Sequence, residues 1–237
     1  MLIKITTKCQ MNCTHCMESA FIESNEFMSI KTFKQSLEFS SKVDANIFIS
    51  GGEPTLHPDF FKFLEICEYQ NLMTIVLSNG LNIDYEKILN FKNTKLQIYN
   101  DNKYYPIKVE IPKNIQNKYS SRIVFGDTIN LLSPFGRAID NKLECKRLAP
   151  PCFNIRSITR HLNNFLKAIP HLRLNGKFCT PSIDFEGNIL AGESRFCHKI
   201  GTVNDSNETL TKNILNMHCN KCKLEDKLSQ EQINAIY

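Results

Sequence analysis

Long apolar runs are missing: nothing in the 237 residues approaches the roughly 18 consecutive apolar positions of a transmembrane helix. Blocks of like charge are missing too. Lys and Arg number 29 against 24 Asp and Glu, and the resulting +5 is dispersed along the chain. That dispersal excludes a basic nucleic-acid arm and a polybasic membrane anchor. The opening residues, Met1-Leu2-Ile3-Lys4-Ile5-Thr6-Thr7-Lys8-Cys9, lack the apolar core of a secretory signal, so a cytoplasmic location is expected. Repeats and low-complexity tracts are absent as well. What remains is a chain with 42% apolar residues, enough to fill the core of one domain with a small appendage.

Cysteine is abundant, at ten residues. In a thiol-reducing compartment structural disulfides are disfavoured, so clustered cysteines point to metal. Nine fall into groups: Cys9, Cys13 and Cys16; Cys145 and Cys152; Cys179, Cys197, Cys219 and Cys222. Cys67 stands alone in an apolar segment and reads as a buried small hydrophobe.

The first half alternates strand-like and helix-like segments. Residues 2–6, 46–50, 73–77 and 95–99 read as strands. Helices are expected from Ser29, with Phe33, Leu37 and Val43 inward, and over 58–70, with Phe60, Phe61, Leu64 and Cys67 on one side. A short helix is expected over 84–91. This rhythm predicts a parallel α/β sheet with right-handed crossovers. Residues 107–111 and 122–125 look strand-like with no convincing helix between them, and 129–132 reads as the last strand. Beyond a boundary near residue 140, residues 157–169 look helical, Glu186-Gly187-Asn188 signals a hairpin, and 209–217 reads as a helix.

Cys9-Gln10-Met11-Asn12-Cys13-Thr14-His15-Cys16 places three thiols on one loop directly after a strand. Three soft ligands there suit an iron-sulfur cube with one iron left open, although three of four zinc ligands would look the same. Gly51-Gly52-Glu53-Pro54 and Ser78-Asn79-Gly80 follow the next two strands, where parallel sheets present ligands. Glycines admit a close backbone approach, and a carboxylate can hold an amine.

These loops together resemble the radical S-adenosylmethionine (radical SAM) superfamily over about residues 1–140. Cys9, Cys13 and Cys16 match its CxxxCxxC signature, Gly51 to Pro54 its GGEP segment, and Ser78-Asn79-Gly80 its ribose loop. The resemblance implies an α/β partial (β/α)6 TIM-like barrel whose 4Fe-4S cluster binds S-adenosylmethionine at the open iron. It implies His15 beside the adenine, Gly51, Gly52, Glu53 and Pro54 toward the methionine amino group, and Ser78 and Asn79 toward the ribose. The chemistry implied is reductive cleavage to a 5′-deoxyadenosyl radical, which takes hydrogen from a substrate. His57 reads as a loop-structuring residue.

Residues 141–237 resemble the SPASM and shorter twitch auxiliary modules of that superfamily, with Cys179, Cys197, Cys219 and Cys222 as ligands of a second 4Fe-4S cluster; zinc is the alternative. The usual cysteine five residues after the hairpin glycine is replaced by Gly192, so Cys197 is expected to take its role. Arg137, in Ser133-Pro134-Phe135-Gly136-Arg137-Ala138, is expected to reach the cofactor carboxylate. Cys145 and Cys152 remain open between a ligand, an apolar filler and a catalytic thiol. The resemblance implies a peptide or protein substrate, a separate leader-binding protein because the chain begins at the first strand, and a flavodoxin or ferredoxin as electron donor. Rival expectations are small-molecule or nucleoside chemistry, activation of a glycyl-radical enzyme, and a zinc-stabilised adaptor.

Overall fold

The computed structural model describes residues 1–43, 46–100, 104–126, 132, 134–144, 151–174, 181–219 and 221. In chain order the elements are β1 (Leu2–Lys4), α1 (Ile30–Ser41), β2 (Asn46–Ser50), α2 (Phe60–Tyr69), β3 (Met73–Ser78), α3 (Tyr85–Leu89), β4 (Thr94–Ile98), α4 (Lys113–Lys118) and β5 (Ile123–Phe125). They continue as α5 (Arg137–Asp140), α6 (Pro151–Leu162), α7 (Phe165–Leu174), β6 (Ser182–Ile183), β7 (Asn188–Leu190), β8 (Lys199–Thr202) and α8 (Asn207–Leu215).

Among the described residues the strands form one eight-stranded mixed sheet, ordered β5-β4-β3-β2-β1-β6-β7-β8. The run from β5 to β6 is parallel throughout, and β7 and β8 are antiparallel additions. The strands beyond residue 140 therefore extend the same sheet from the free side of β1 rather than building a separate one.

Local chemistry explains most boundaries. Ser29 caps α1 by accepting from Thr32 N–H at 3.0 Å, and Phe33, Leu37 and Val43 are buried as expected. On α2 the buried set is Phe60, Phe63, Leu64 and Cys67, the i, i+3, i+4, i+7 stripe; Phe61 is only half-buried, so Phe63 takes the inward place assigned to it. Phe63 stacks on Phe33 with ring centroids 4.1 Å apart, joining the two helices.

Several expectations shift. Residues 107–111 form no strand, and α4 occupies a stretch where no helix was expected. It is six residues long with only Ile115 buried, too short to write a periodic signal. The helix expected over 157–169 is two helices, parted where Asn163 adopts a positive φ of 46° and Asn164 Oδ1 accepts from Lys167 N–H at 2.9 Å. The helix expected over 209–217 begins two residues earlier, because Ser206 caps it. The hairpin at Glu186-Gly187-Asn188 is present, joining β6 and β7. Of the strand expected over 129–132, only Leu132 lies within the described residues, and it is not in a strand.

Candidate functional site

The cysteine loop runs from the end of β1 across the carboxyl ends of the parallel strands. Cys9 and Cys13 are buried and Cys16 is half-buried. Met11 N–H donates to Cys9 Sγ at 3.4 Å, and Asn79 Nδ2 approaches the same sulfur at 3.8 Å. Burial pushes the Cys9 thiol up to about 11, with Glu53 and Cys16 adding to the shift. Burial likewise pushes Cys13 up to about 12, with Cys16 and Cys9 adding. Cys16 is also raised by burial, against the Arg137 guanidinium, which draws both Cys13 and Cys16 downward.

Metal-free, these cysteines are neutral thiols at neutral pH, whereas a bound cationic core favours thiolates and releases the protons. Three neighbouring sulfur donors in a largely apolar pocket, with Met11, Ala20 and Leu81 around them, suit an iron-sulfur cluster. Among the described residues no three His, Cys, Asp or Glu side chains converge at the separations of ligands on one ion. Cubane thiolates each take a separate iron and do not require that spacing.

The glycines of the second loop allow a close approach, and its target is the chain itself. Gly51 has φ of +144°, and a Cβ there would lie 2.2 Å from the Thr6 carbonyl oxygen; at Gly52 the Lys8 carbonyl oxygen would be 2.3 Å away. Gly52 N–H donates to Thr6 O and Glu53 N–H to Lys8 O, each at 2.7 Å, holding this loop against the segment that leads into Cys9. Pro54 then opens a single 3-10 turn, Pro54–Leu56.

Glu53 is wholly buried. Its Oε1 accepts from Thr55 Oγ1 at 2.7 Å, Ser78 Oγ at 2.9 Å and Thr55 N–H at 3.2 Å, and its Oε2 accepts from Asn79 N–H at 2.9 Å. Burial raises its pKa and these donors pull it back. The carboxylate thus staples the end of β2 to the end of β3. Ser78 Oγ in turn accepts from Gly80 N–H at 3.0 Å, and Asn79 Nδ2 reaches Gln10 Oε1 at 3.5 Å, so the three loops form one hydrogen-bonded surface. His57 is structural, as expected. Its Nδ1 accepts from Asp59 N–H at 2.9 Å, which leaves Nε2 to donate to Met28 O at 3.0 Å.

Two contributions to the site were not anticipated. The His15 ring lies 4.8 Å from that of Tyr105 and 5.6 Å from that of Tyr104, and Tyr105 also packs against the cysteine cluster. Both tyrosines come from the aperiodic stretch after β4, where only an adjacent aromatic pair in a polar segment marked them. Arg137 clamps the cysteine loop: Nε donates to Cys13 O at 2.8 Å, Nη1 to Ala20 O at 2.9 Å, and its backbone N–H to Cys16 O at 3.1 Å. Gly136 permits this contact, since a Cβ there would stand 2.6 Å from Cys16 O. Arg137 Nη2 is buried with no hydrogen-bond partner among the described residues, a donor suited to a ligand carboxylate.

Residues 3–146 match the Radical SAM superfamily. The chain belongs to that superfamily. It is therefore a radical SAM enzyme, of a family that works with a 4Fe-4S cluster and S-adenosylmethionine. Its fold is similar to that of Streptococcus suis SuiB bound to precursor peptide SuiA, with a TM-score of 0.56, 14% identity, and 94% of this chain and 69% of SuiB covered. SuiB bound to S-adenosylmethionine gives a TM-score of 0.54 at 14% identity, covering 94% and 68%. Native anSMEcpe with bound AdoMet and Cp18Cys peptide gives 0.53 at 15% identity, covering 97% and 84%. No curated protein matches the chain.

In this radical SAM enzyme Cys197 lies in the loop after β7, and a Cβ built at Gly192 would meet its Sγ at 2.8 Å. The Cys197 sulfur therefore fills the space a residue-192 side chain would use. Cys219 is half-buried beside the main core, and so is Cys152. Cys145, Cys179 and Cys222 lie outside the described residues. No described helix is long and apolar enough to cross a membrane.

Proposed function

We propose that this radical SAM enzyme modifies a side chain of a peptide or protein substrate, with Cys9, Cys13 and Cys16 holding the catalytic 4Fe-4S cluster. The observation that carries the cluster assignment is the packing of Cys9, Cys13 and Cys16 into one group beside the Glu53 and Ser78-Asn79-Gly80 loops and the unpartnered Arg137 Nη2. Bound by these cysteines, the cluster would supply the one-electron reduction that turns S-adenosylmethionine into a hydrogen-abstracting reagent.

The chain's own residues seat and orient these groups. The backbone of Gly51, Gly52, Glu53 and Pro54, braced on Thr6 and Lys8, offers polar groups to the methionine amine. Arg137 Nη2 donates to the methionine carboxylate, His15 with Tyr105 walls the adenine, and Ser78 and Asn79 face the ribose. Residues 1–140 form the partial (β/α)6 barrel in this reading.

Residues 141–237 form the SPASM- or twitch-like module, with Cys179, Cys197, Cys219 and Cys222 holding a second 4Fe-4S cluster. The Cys197 sulfur lying over Gly192 supports that reading, because it stands where a cysteine at position 192 would point. A peptide substrate is favoured because SuiB and anSMEcpe, which share the fold, are known with peptides bound. A separate leader-binding protein, a flavodoxin or ferredoxin donor and a cytoplasmic location complete the proposal.

Anaerobic reconstitution tests it. The protein should turn brown, bind about eight irons if both cubes form, and release 5′-deoxyadenosine when reduced. With a short peptide encoded beside its gene, it should change that peptide's mass. Colourless protein with stoichiometric zinc, or cofactor cleavage coupled to a small molecule instead of any peptide, would overturn it.

A further inference from the structure

Beneath the cysteine loop lies a buried polar group that none of the recognised motifs includes. Lys4 on β1 and Glu18, two residues past Cys16, are both buried, with Lys4 Nζ 3.4 Å from Glu18 Oε1. Lys4 Nζ also donates to Glu193 O at 2.9 Å, and Arg195 N–H donates to Glu18 Oε1 at 3.1 Å. Ser194, wholly buried, donates its hydroxyl to Met17 O at 2.8 Å, and its own carbonyl accepts from Cys197 N–H at 2.9 Å. On the opposite side the Cys16 carbonyl accepts from Ser19 N–H at 3.3 Å and from Arg137 N–H at 3.1 Å, so the same short segment is tied to the cysteine loop. Bonds thus run from the Cys16-Met17-Glu18 segment through residues 193–195 to Cys197.

Two features argue for a role beyond cohesion. A buried ion pair adds little stability over apolar residues of the same size, so its worth lies in direction and charge. The pair also cancels: Glu18 is close enough for its charge to act on the Cys16 sulfur, and its buried counter-ion Lys4 lies 3.4 Å from its Oε1.

We propose that Lys4, Glu18 and residues 193–195 form a latch that locks the Cys16 loop to the Cys197 loop and balances the charge felt at the first cluster. Glu18 is its positioning residue. The electrostatic half rests on the reading of Cys9, Cys13 and Cys16 as cluster ligands, whereas the mechanical half holds in the metal-free chain.

The test has two arms. In metal-free protein, hydrogen exchange is compared for the wild type, Glu18→Gln and Ser194→Ala. Each variant should speed exchange at least tenfold in both 16–20 and 193–197 while leaving α2 unchanged. Faster exchange only in the segment carrying the substitution would overturn the latch.

In reconstituted protein, the midpoint potential is read from the EPR signal that changes on adding S-adenosylmethionine. Glu18→Gln leaves Lys4 unbalanced and should raise it. Lys4→Met leaves the carboxylate and should lower it, each by about tenfold in the reduced-to-oxidised ratio, or 59 mV for one electron. Lys4→Met with Glu18→Gln should return near the wild type. A merely loosened loop would shift both single variants the same way, and that result, or no shift, refutes the charge balance. Should a single variant fail to fold, the double variant and Ser194→Ala decide the latch by exchange. A wild-type chain that takes up no iron-sulfur cluster sinks the proposed function, and the exchange arm still decides the latch.

Discussion

The reading of Glu53 as a staple leads to a measurable consequence in the absence of any ligand. In Glu53→Gln the amide has one acceptor where the carboxylate had two. Its oxygen keeps Thr55 and Ser78 if it takes the Oε1 place, since three of the four donors converge there. The amide nitrogen must then face Asn79 N–H, which met Oε2 at 2.9 Å, and two donors oppose each other. One buried backbone N–H left unmatched costs about 1–3 kcal/mol, and the surviving bonds lose their charge assistance. Against this, the neutral amide escapes the desolvation that raises the Glu53 pKa. The balance is a loss of about 2 kcal/mol, or ~4–8 °C in melting temperature for a chain of this length. Glu53→Ala strands all four donors beside a void and should cost about 3–5 kcal/mol. Thermal unfolding of the metal-free protein by circular dichroism reads both. If Glu53→Gln melts with the wild type and loses only affinity for S-adenosylmethionine, the carboxylate serves the ligand and the staple reading is wrong.

Gly51→Ala should cost about 3 kcal/mol or more in urea unfolding, because φ of +144° is strained for alanine and its Cβ would meet Thr6 O at 2.2 Å. A wild-type midpoint would count against the loop geometry. His57 is held neutral, its pKa lowered by burial, so the unfolded chain takes up the proton first as acid is added. Its contribution is therefore complete above about pH 6.5 and fades as pH falls through the lower folded value. The stability gap between wild type and His57→Asn should accordingly narrow toward pH 5, and a constant gap would contradict this. Cys13→Ala should lose the brown chromophore and 5′-deoxyadenosine formation, and turnover at the wild-type rate would refute the ligand assignment. Cys222→Ala should retain some uncoupled cofactor cleavage and lose product; unchanged product would remove the second cluster from the mechanism.

Much of the fold was legible because its signals are local. The Ser29 cap, the stops at Gly51-Gly52 and Ser78-Asn79-Gly80, and the apolar runs between them depend on neighbours within a few residues. The α2 stripe shows the limit. Three phenylalanines within four positions, Phe60, Phe61 and Phe63, make the segment apolar on more than one side, so Phe61 and Phe63 were separable only by the helical phase the folded core selects. The misplaced elements, α4 and the break at Asn163, are short or rest on one backbone angle, and neither leaves a periodic pattern.

The sequence by itself determined which chemistry is on offer: three closely spaced thiols, a glycine pair before a carboxylate, and a Ser-Asn-Gly turn, each marked by residue type and spacing. Tertiary structure alone decided what those groups face. It turned Glu53 inward onto four donors, aimed the glycines at Thr6 and Lys8, brought Tyr105 to His15, and laid Cys197 over Gly192. It also joined Lys4 to Glu193 across 189 positions. Such partnerships depend on strand order, because β6 pairs with β1. Burial then sets how strongly each pair of charges is felt, and neither order nor burial is written in any short stretch of chain.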